Sequence, residues 1–195
     1  FTICSFSCSE ELISLYNSFD DQVIKDLRLN AFFEDNGDEQ YRVSKVGEKV
    51  YDCFAIRSVE LYLNKAEAEA MLDKVEAIQT IKTLLNNRFE GGIPDIDGLS
   101  GKDLVSFIRD ERRRELCFEA HRWFDLRRYA VSPKYPEKKS IRHTAYDIKG
   151  KLEGDYVLKP YGEDPAWVLP IPGYEIVYNQ GNLVDNPQRV ERELE

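Results

Sequence analysis

Apolar residues recur along this chain at two distinct periods. Between 55 and 72, Ile56, Val59, Leu63, Ala66 and Ala70 return every three or four positions, the stripe of an amphipathic helix. Between 75 and 89, Ile78, Ile81, Leu85 and Phe89 repeat the pattern. Only Asp73-Lys74 separates the two, so they are predicted to fold back as a hairpin. The stretch "EGGIPDIDGLSG" breaks the run. Ser100 then starts a third helix, with Asp103 as capping-box partner, predicted to reach from 102 to 119. A period of two appears in residues 1–9, "FTICSFSCS", and in "LRLNAFFEDNGDEQYRVSK" (27–45), read as a hairpin turning at Asn36-Gly37. Its acids lack calcium-loop spacing and are read as a solvated turn. Ser9 is the expected N-cap of a short helix to about Phe19. After Tyr129 the chain is rich in Pro, Gly and Tyr. It is read as irregular, with short strands near 145–149, 155–159 and 167–171. The fold class predicted is mainly α.

The third helix carries "ERRRELCFEAHRWFDLRRY" (111–129), with six arginines and four acids among large apolar residues. On a helical wheel Val105, Ile108, Arg112, Leu116, Glu119 and Trp123 share one face. Arg112 and Glu119 then lie inside an apolar stripe, where an uncompensated charge costs several kcal/mol. Arg57, Glu60 and Glu67 flank the stripe of the first long helix. Arg112 is expected to be buried and paired with Glu60 or Glu67, an ionic strut between packed helices. Glu115 and Glu119 have the residue types of a glycosidase pair. They sit one turn apart among arginines that hold both ionised, whereas a general acid needs a raised pKa. No nucleophile elbow, phosphate loop or metal-ligand spacing appears, and His121 stands alone. No catalytic residue, metal site or cofactor is expected.

Charge narrows the field further. The 195 residues carry a net charge of −9, with acids interleaved among the arginines, which argues against a nucleic-acid partner. No run of about 18 apolar residues is present. The four cysteines are scattered, and Cys4 with Cys8 is the pair that export would allow to join.

Four segments in order, "SEELISLYNSFDDQVIKDLR" (9–28), "IRSVELYLNKAEAEA" (56–70), "ERRRELCFEAHRWFDLRR" (111–128) and "LPIPGYEIVYNQGNLVDNP" (169–187), resemble the later half of the SusD/RagB family. The resemblance implies tetratricopeptide-like helical hairpins wrapped by loops and short strands, with a helical core over about 55–130 and an irregular region over 131–195. It implies a non-enzymatic surface lipoprotein that binds glycan and partners a TonB-dependent outer-membrane transporter, anchored by a lipid outside these residues. A helical-repeat scaffold for protein or peptide is the alternative. Ala120 stands where the family motif has glycine, which favours continuing the helix there. No ligand residue transfers from the family. Sugar stacking wants exposed aromatics beside polar groups, and Tyr135, Tyr146, Tyr156 and Tyr161 fit by composition. Trp167 is read as core. The resemblance to a later half also implies an exposed apolar patch at Leu61, Tyr62 and Met71.

Overall fold

Ser9 starts the first helix. Its side-chain oxygen accepts from the N–H of Leu12 at 3.4 Å, and α1 runs Glu10–Asn17. The structure, a computed structural model, describes residues 8–19, 23–37, 41–45, 57–147, 149–187 and 194. Ile56, Cys4, Cys53 and most of the strand expected over 1–9 lie outside these. The chain forms two compact units, Phe1–Trp123 and Phe124–Glu195.

In the first unit, β1 (Lys25–Asp26), α2 (Arg28–Phe32), β2 (Phe33–Asp35) and β3 (Tyr41–Val43) follow α1. Strands β2 and β3 pair antiparallel, Glu34 opposite Arg42, and Asp35 accepts from the N–H of Gly37, whose φ is +85°. The hairpin expected from 27 is therefore shorter, because residues 28–32 are helical. Asp26 explains this: its carboxylate accepts the backbone N–H of Arg28 at 2.9 Å, occupying a donor that a first helical turn leaves open.

Helices α3 (Ser58–Met71) and α4 (Glu76–Leu85) form the expected hairpin, and α3 also packs against α5 (Gly101–Glu115). The described members of the first stripe, Val59, Leu63, Ala66 and Ala70, are buried, as are Ile108 and Leu116. α4 is shorter than expected. Its chain leaves the helix after Leu85, and Phe89 enters β4 (Phe89–Glu90), which pairs with β1. Gly91, at φ +81°, follows where a Cβ would stand 1.8 Å from the Val23 carbonyl oxygen. The second stripe is accordingly Ala77, Thr80, Ile81, Leu84 and Leu85, with Ile78 half-buried. Ser100 is the N-cap of α5 by position, but no side-chain cap bond forms, so the capping box with Asp103 is absent.

α5 stops at Glu115, four residues before the expected end, and α6 (Arg122–Ala130) begins after a break of six residues. Phe118 and Ala120 between them both have φ of +61°. Glu119 and Trp123 are therefore not on the α5 face. The break expected to be erased by Ala120 is present, because tertiary partners satisfy the helix end. The Tyr16 hydroxyl donates to the Arg114 carbonyl at 2.6 Å, and Lys45 Nζ donates to the carbonyls of Glu115 and Cys117 at 2.6 and 3.0 Å. These bonds outweigh the local preference of alanine. Cys117 and Cys8 are both free thiols.

The second unit holds the rest of α6, a hairpin of β5 (Ile141–Tyr146) and β6 (Leu152–Leu158), a 3-10 turn Pro165–Trp167 and α7 (Gly173–Tyr178). The hairpin starts earlier than the strands expected at 145–149 and 155–159. Asp147 sets the turn by accepting the N–H groups of Lys149 and Lys151. No strand forms at 167–171, where Pro170 and Pro172 lack the donors a ladder needs. Trp167 is fully buried, its indole N–H donating to the Lys159 carbonyl at 2.7 Å. With seven helices and only two-stranded ladders among the described residues, the class is mainly α.

Left-handed backbone costs an alanine about 1–2 kcal/mol, part of which glycine gives back as unfolded-chain entropy. Ala120→Gly should therefore raise unfolding free energy by about 0.5–1 kcal/mol in a urea titration. A loss of stability would show that Ala120 is not held at positive φ.

Candidate functional site

The charge-rich run builds a closed ionic knot. Glu111 and Glu115 lie one turn apart on α5, both 0% exposed. Arg28, from the start of α2, places Nη1 2.6 Å from Glu111 and 3.0 Å from Glu115, while Asp26 holds its Nε and Nη2 at 3.0 and 2.8 Å. Arg114 Nε closes on Glu111 at 2.8 Å. Arg88, from the end of α4, grips Glu115 through Nε at 2.7 Å and Nη2 at 3.1 Å, and Arg57 Nη2 reaches it at 2.7 Å. Aromatic rings wall the knot. Arg28 lies over Phe89 at 5.6 Å and Arg114 over Phe19 at 4.9 Å and Phe107 at 5.6 Å.

Two further clamps extend from it. Glu119, in the turn after α5, takes both Lys45 Nζ and Arg57 Nη1, joining the residues on either side of 46–56. Arg112 donates to Asn64 at 2.9 Å and to Glu60 at 3.2 Å, with His121 Nδ1 at 3.4 Å. Glu67 sits instead with Arg109, Nε to Oε1 3.2 Å. Of the five residues assigned to ionic struts, Arg112 thus meets Glu60, and Arg57 meets Glu119. The sequence reading missed Glu111, inside α5, and Asp26, Arg28, Lys45 and Arg88, which come from short elements and turns where no periodicity marks a buried charge.

Chemically the knot is closed. Burial opposes ionisation of Glu111, but Arg28 and Arg114 overcome it and hold its carboxyl at about 2. For Glu115 burial is likewise outweighed, by hydrogen bonds and charge from Arg88 and Arg28, and its carboxyl lies below the usual range. A carboxyl held down in this way is ionised at neutral pH and offers no proton as a general acid.

The tyrosines proposed for ligand stacking fare differently. Tyr161 is half-buried, edge-on to Trp167 at 6.0 Å between centroids and covered by Arg127 at 5.3 Å. Tyr135 is half-buried with Lys134 over its ring at 5.3 Å. Tyr146 and Tyr156 are exposed on the β5–β6 hairpin. Tyr156 stands opposite His143, and alternation along β5 turns Tyr146 to the other face, so these two do not form one platform. Tyr174 and Tyr178, 62% and 81% exposed, lie one turn apart on α7, which buries none of its residues. The sequence reading passed over them as part of the closing motif. On α3, Leu61 and Tyr62 are exposed and Met71 is half-buried.

Two outcomes follow from the knot. Removing Arg28 leaves three buried carboxylates short of a partner, so Arg28→Ala should cost about 3–5 kcal/mol. Arg113→Ala, which removes a bridge to Glu11 at 66% side-chain exposure, should cost about 1 kcal/mol or less. Equal losses in denaturant titrations would contradict the knot. Glu111 also sets a pH window. Its folded pKa lies below the ordinary 4.5, so its contribution is complete above about pH 4.5 and disappears as pH falls towards about 2. Unfolding free energy should drop steeply across that window, and Glu111→Gln should flatten the drop.

Comparison with known proteins agrees with the motifs. A model of the SusD family matches residues 21–188. SusD-like protein P38 of Formosa agariphila is 39% identical over 77 residues, 36% of this chain and 15% of that protein. SusD-like protein P2 of the same organism is 28% identical over 99 residues, 47% of this chain and 15% of that protein. A crystal structure of a SusD-like protein from Bacteroides fragilis is similar over 67% of this chain and 24% of that one, with 28% identity and a TM-score of 0.44. The matched stretches span about a seventh of each curated relative's length. On the match across 21–188, which takes in the arginine-rich run and the LPIP segment, this chain belongs to the SusD family.

Proposed function

We propose that this protein binds glycan at the cell surface, without catalysis, and delivers it to a TonB-dependent transporter in the outer membrane. The family match over residues 21–188 carries this reading. The closed chemistry of Glu111 and Glu115 supports it, since the most charged part of the chain is engaged in holding helices together. Exposed Tyr146, Tyr174 and Tyr178 on the second unit supply amphipathic rings of the kind that stack on sugars. Attachment to the membrane would be by a lipid; among the described residues no helix is long and apolar enough to cross one. We read these residues as the later portion of a longer polypeptide whose other helices cover Leu61 and Tyr62 of α3.

A glycan array probed with the protein tests the reading. Retention on at least one class of oligosaccharide is expected, with no release of reducing sugar. Retention on peptides and on no glycan would sink it in favour of a peptide-binding scaffold.

A further inference from the structure

One face of the β5–β6 hairpin gathers the chemistry that pyranose rings require. Arg142, Thr144 and Tyr146 alternate along β5 and so share a face. Asp155 stands directly opposite Thr144 on β6, and the register slips by one residue only beyond it, where Ala145 faces Gly154 and Tyr146 faces Leu152. Thr144 donates its hydroxyl to Asp155 Oδ1 at 2.6 Å, and Arg142 Nη1 meets Oδ2 at 2.5 Å. These bonds hold the Asp155 carboxyl below the usual range, the Thr144 hydroxyl first and the Arg142 guanidinium after it. The carboxylate is thus fixed in orientation and ionised. The Arg142 side chain is still 60% exposed and carries further N–H donors. Tyr146 is also 60% exposed.

Spacing makes these groups one site. Two residues along a strand cover about 7 Å, so Tyr146 lies roughly one sugar ring from the Thr144–Asp155 pair. The Asp147 turn fixes the end of β5 just beyond Tyr146: Asp147 donates its own N–H to the Lys151 carbonyl at 2.8 Å and accepts from Gly150 at 2.9 Å. An aromatic face flanked by a fixed carboxylate and a guanidinium can take the C–H face of a ring while both charged groups engage its hydroxyls. A purely apolar ligand would leave Arg142 and Asp155 without use.

We propose that Tyr146, Arg142 and Asp155 form a pyranose-binding site, with Tyr146 as the stacking surface and the ion pair as the hydroxyl reader. The proposal rests on the glycan-binding reading above and assigns it to one face of one hairpin. Tyr156, on the opposite face, has no part in it.

Isothermal titration of the full chain with maltoheptaose, cellohexaose, xylohexaose and mannohexaose tests this. Tyr146→Ala and Asp155→Asn should each weaken the tightest of the four by about tenfold. Tyr156→Ala should leave the affinity within about twofold. Circular dichroism and thermal melts of all three variants establish that the hairpin still folds. If an oligosaccharide binds and the Tyr146 and Asp155 variants retain wild-type affinity, the site is refuted while glycan binding stands. If none of the four binds, the site is refuted for these pyranose ligands, and the glycan-binding reading is decided separately by the array.

Discussion

Two carboxylates with no access to water set the terms for the first unit. Glu111 and Glu115 stay ionised in the interior only because four arginines reach them. Each arginine belongs to a different stretch of chain: Arg28 follows β1, Arg57 precedes α3, Arg88 follows α4, and Arg114 is on α5 itself. The knot therefore works as a register pin. It holds the two-residue strands β1 and β4 in place against the charged face of α5. Apolar contact adds to it at β4, where Phe89 stands edge-on to Phe19 at 5.4 Å and Phe19 to Phe107 of α5 at 6.3 Å.

The same logic explains where α5 ends. A helix terminus leaves carbonyls without partners, and here Tyr16 and Lys45 supply them. Lys45 lies over the Phe32 ring at 4.4 Å, so its charge is sheltered as well as paired. With the terminus satisfied from outside, the chain can turn through left-handed residues at Phe118 and Ala120 and carry Glu119 back to Lys45 and Arg57. Charge satisfaction, rather than helix propensity, fixes the geometry of the turn.

Much of the helical part was legible in the chain. The spacing of Val59, Leu63, Ala66 and Ala70 is that of the buried face of α3, and the short Asp73-Lys74 link gives the hairpin. A charge inside the α5 stripe pointed to a strut, and Arg112 does lie between Glu60 and Asn64. What stayed hidden was long-range. Nothing near Arg28 or Arg88 in sequence announces a buried acid more than twenty residues away. The α2 turn depends on one carboxylate bond from Asp26, which alternating apolar residues mask. In the second unit the closing segment was read by family motif, so the exposure of Tyr174 and Tyr178 went unnoticed, and the shared face of Arg142, Tyr146 and Asp155 needed the strand register.

Native-state hydrogen exchange on a Glu115→Gln variant tests the register pin most directly. Glutamine keeps the shape but removes the charge that Arg28, Arg57 and Arg88 share. Amides of β1, α2 and β4 should then exchange much faster than in the wild type, while those in the middle of α3 and α4 keep most of their protection. Unchanged protection of β1 and β4, or uniform loss across the unit, would contradict the view that buried charge holds these segments in place.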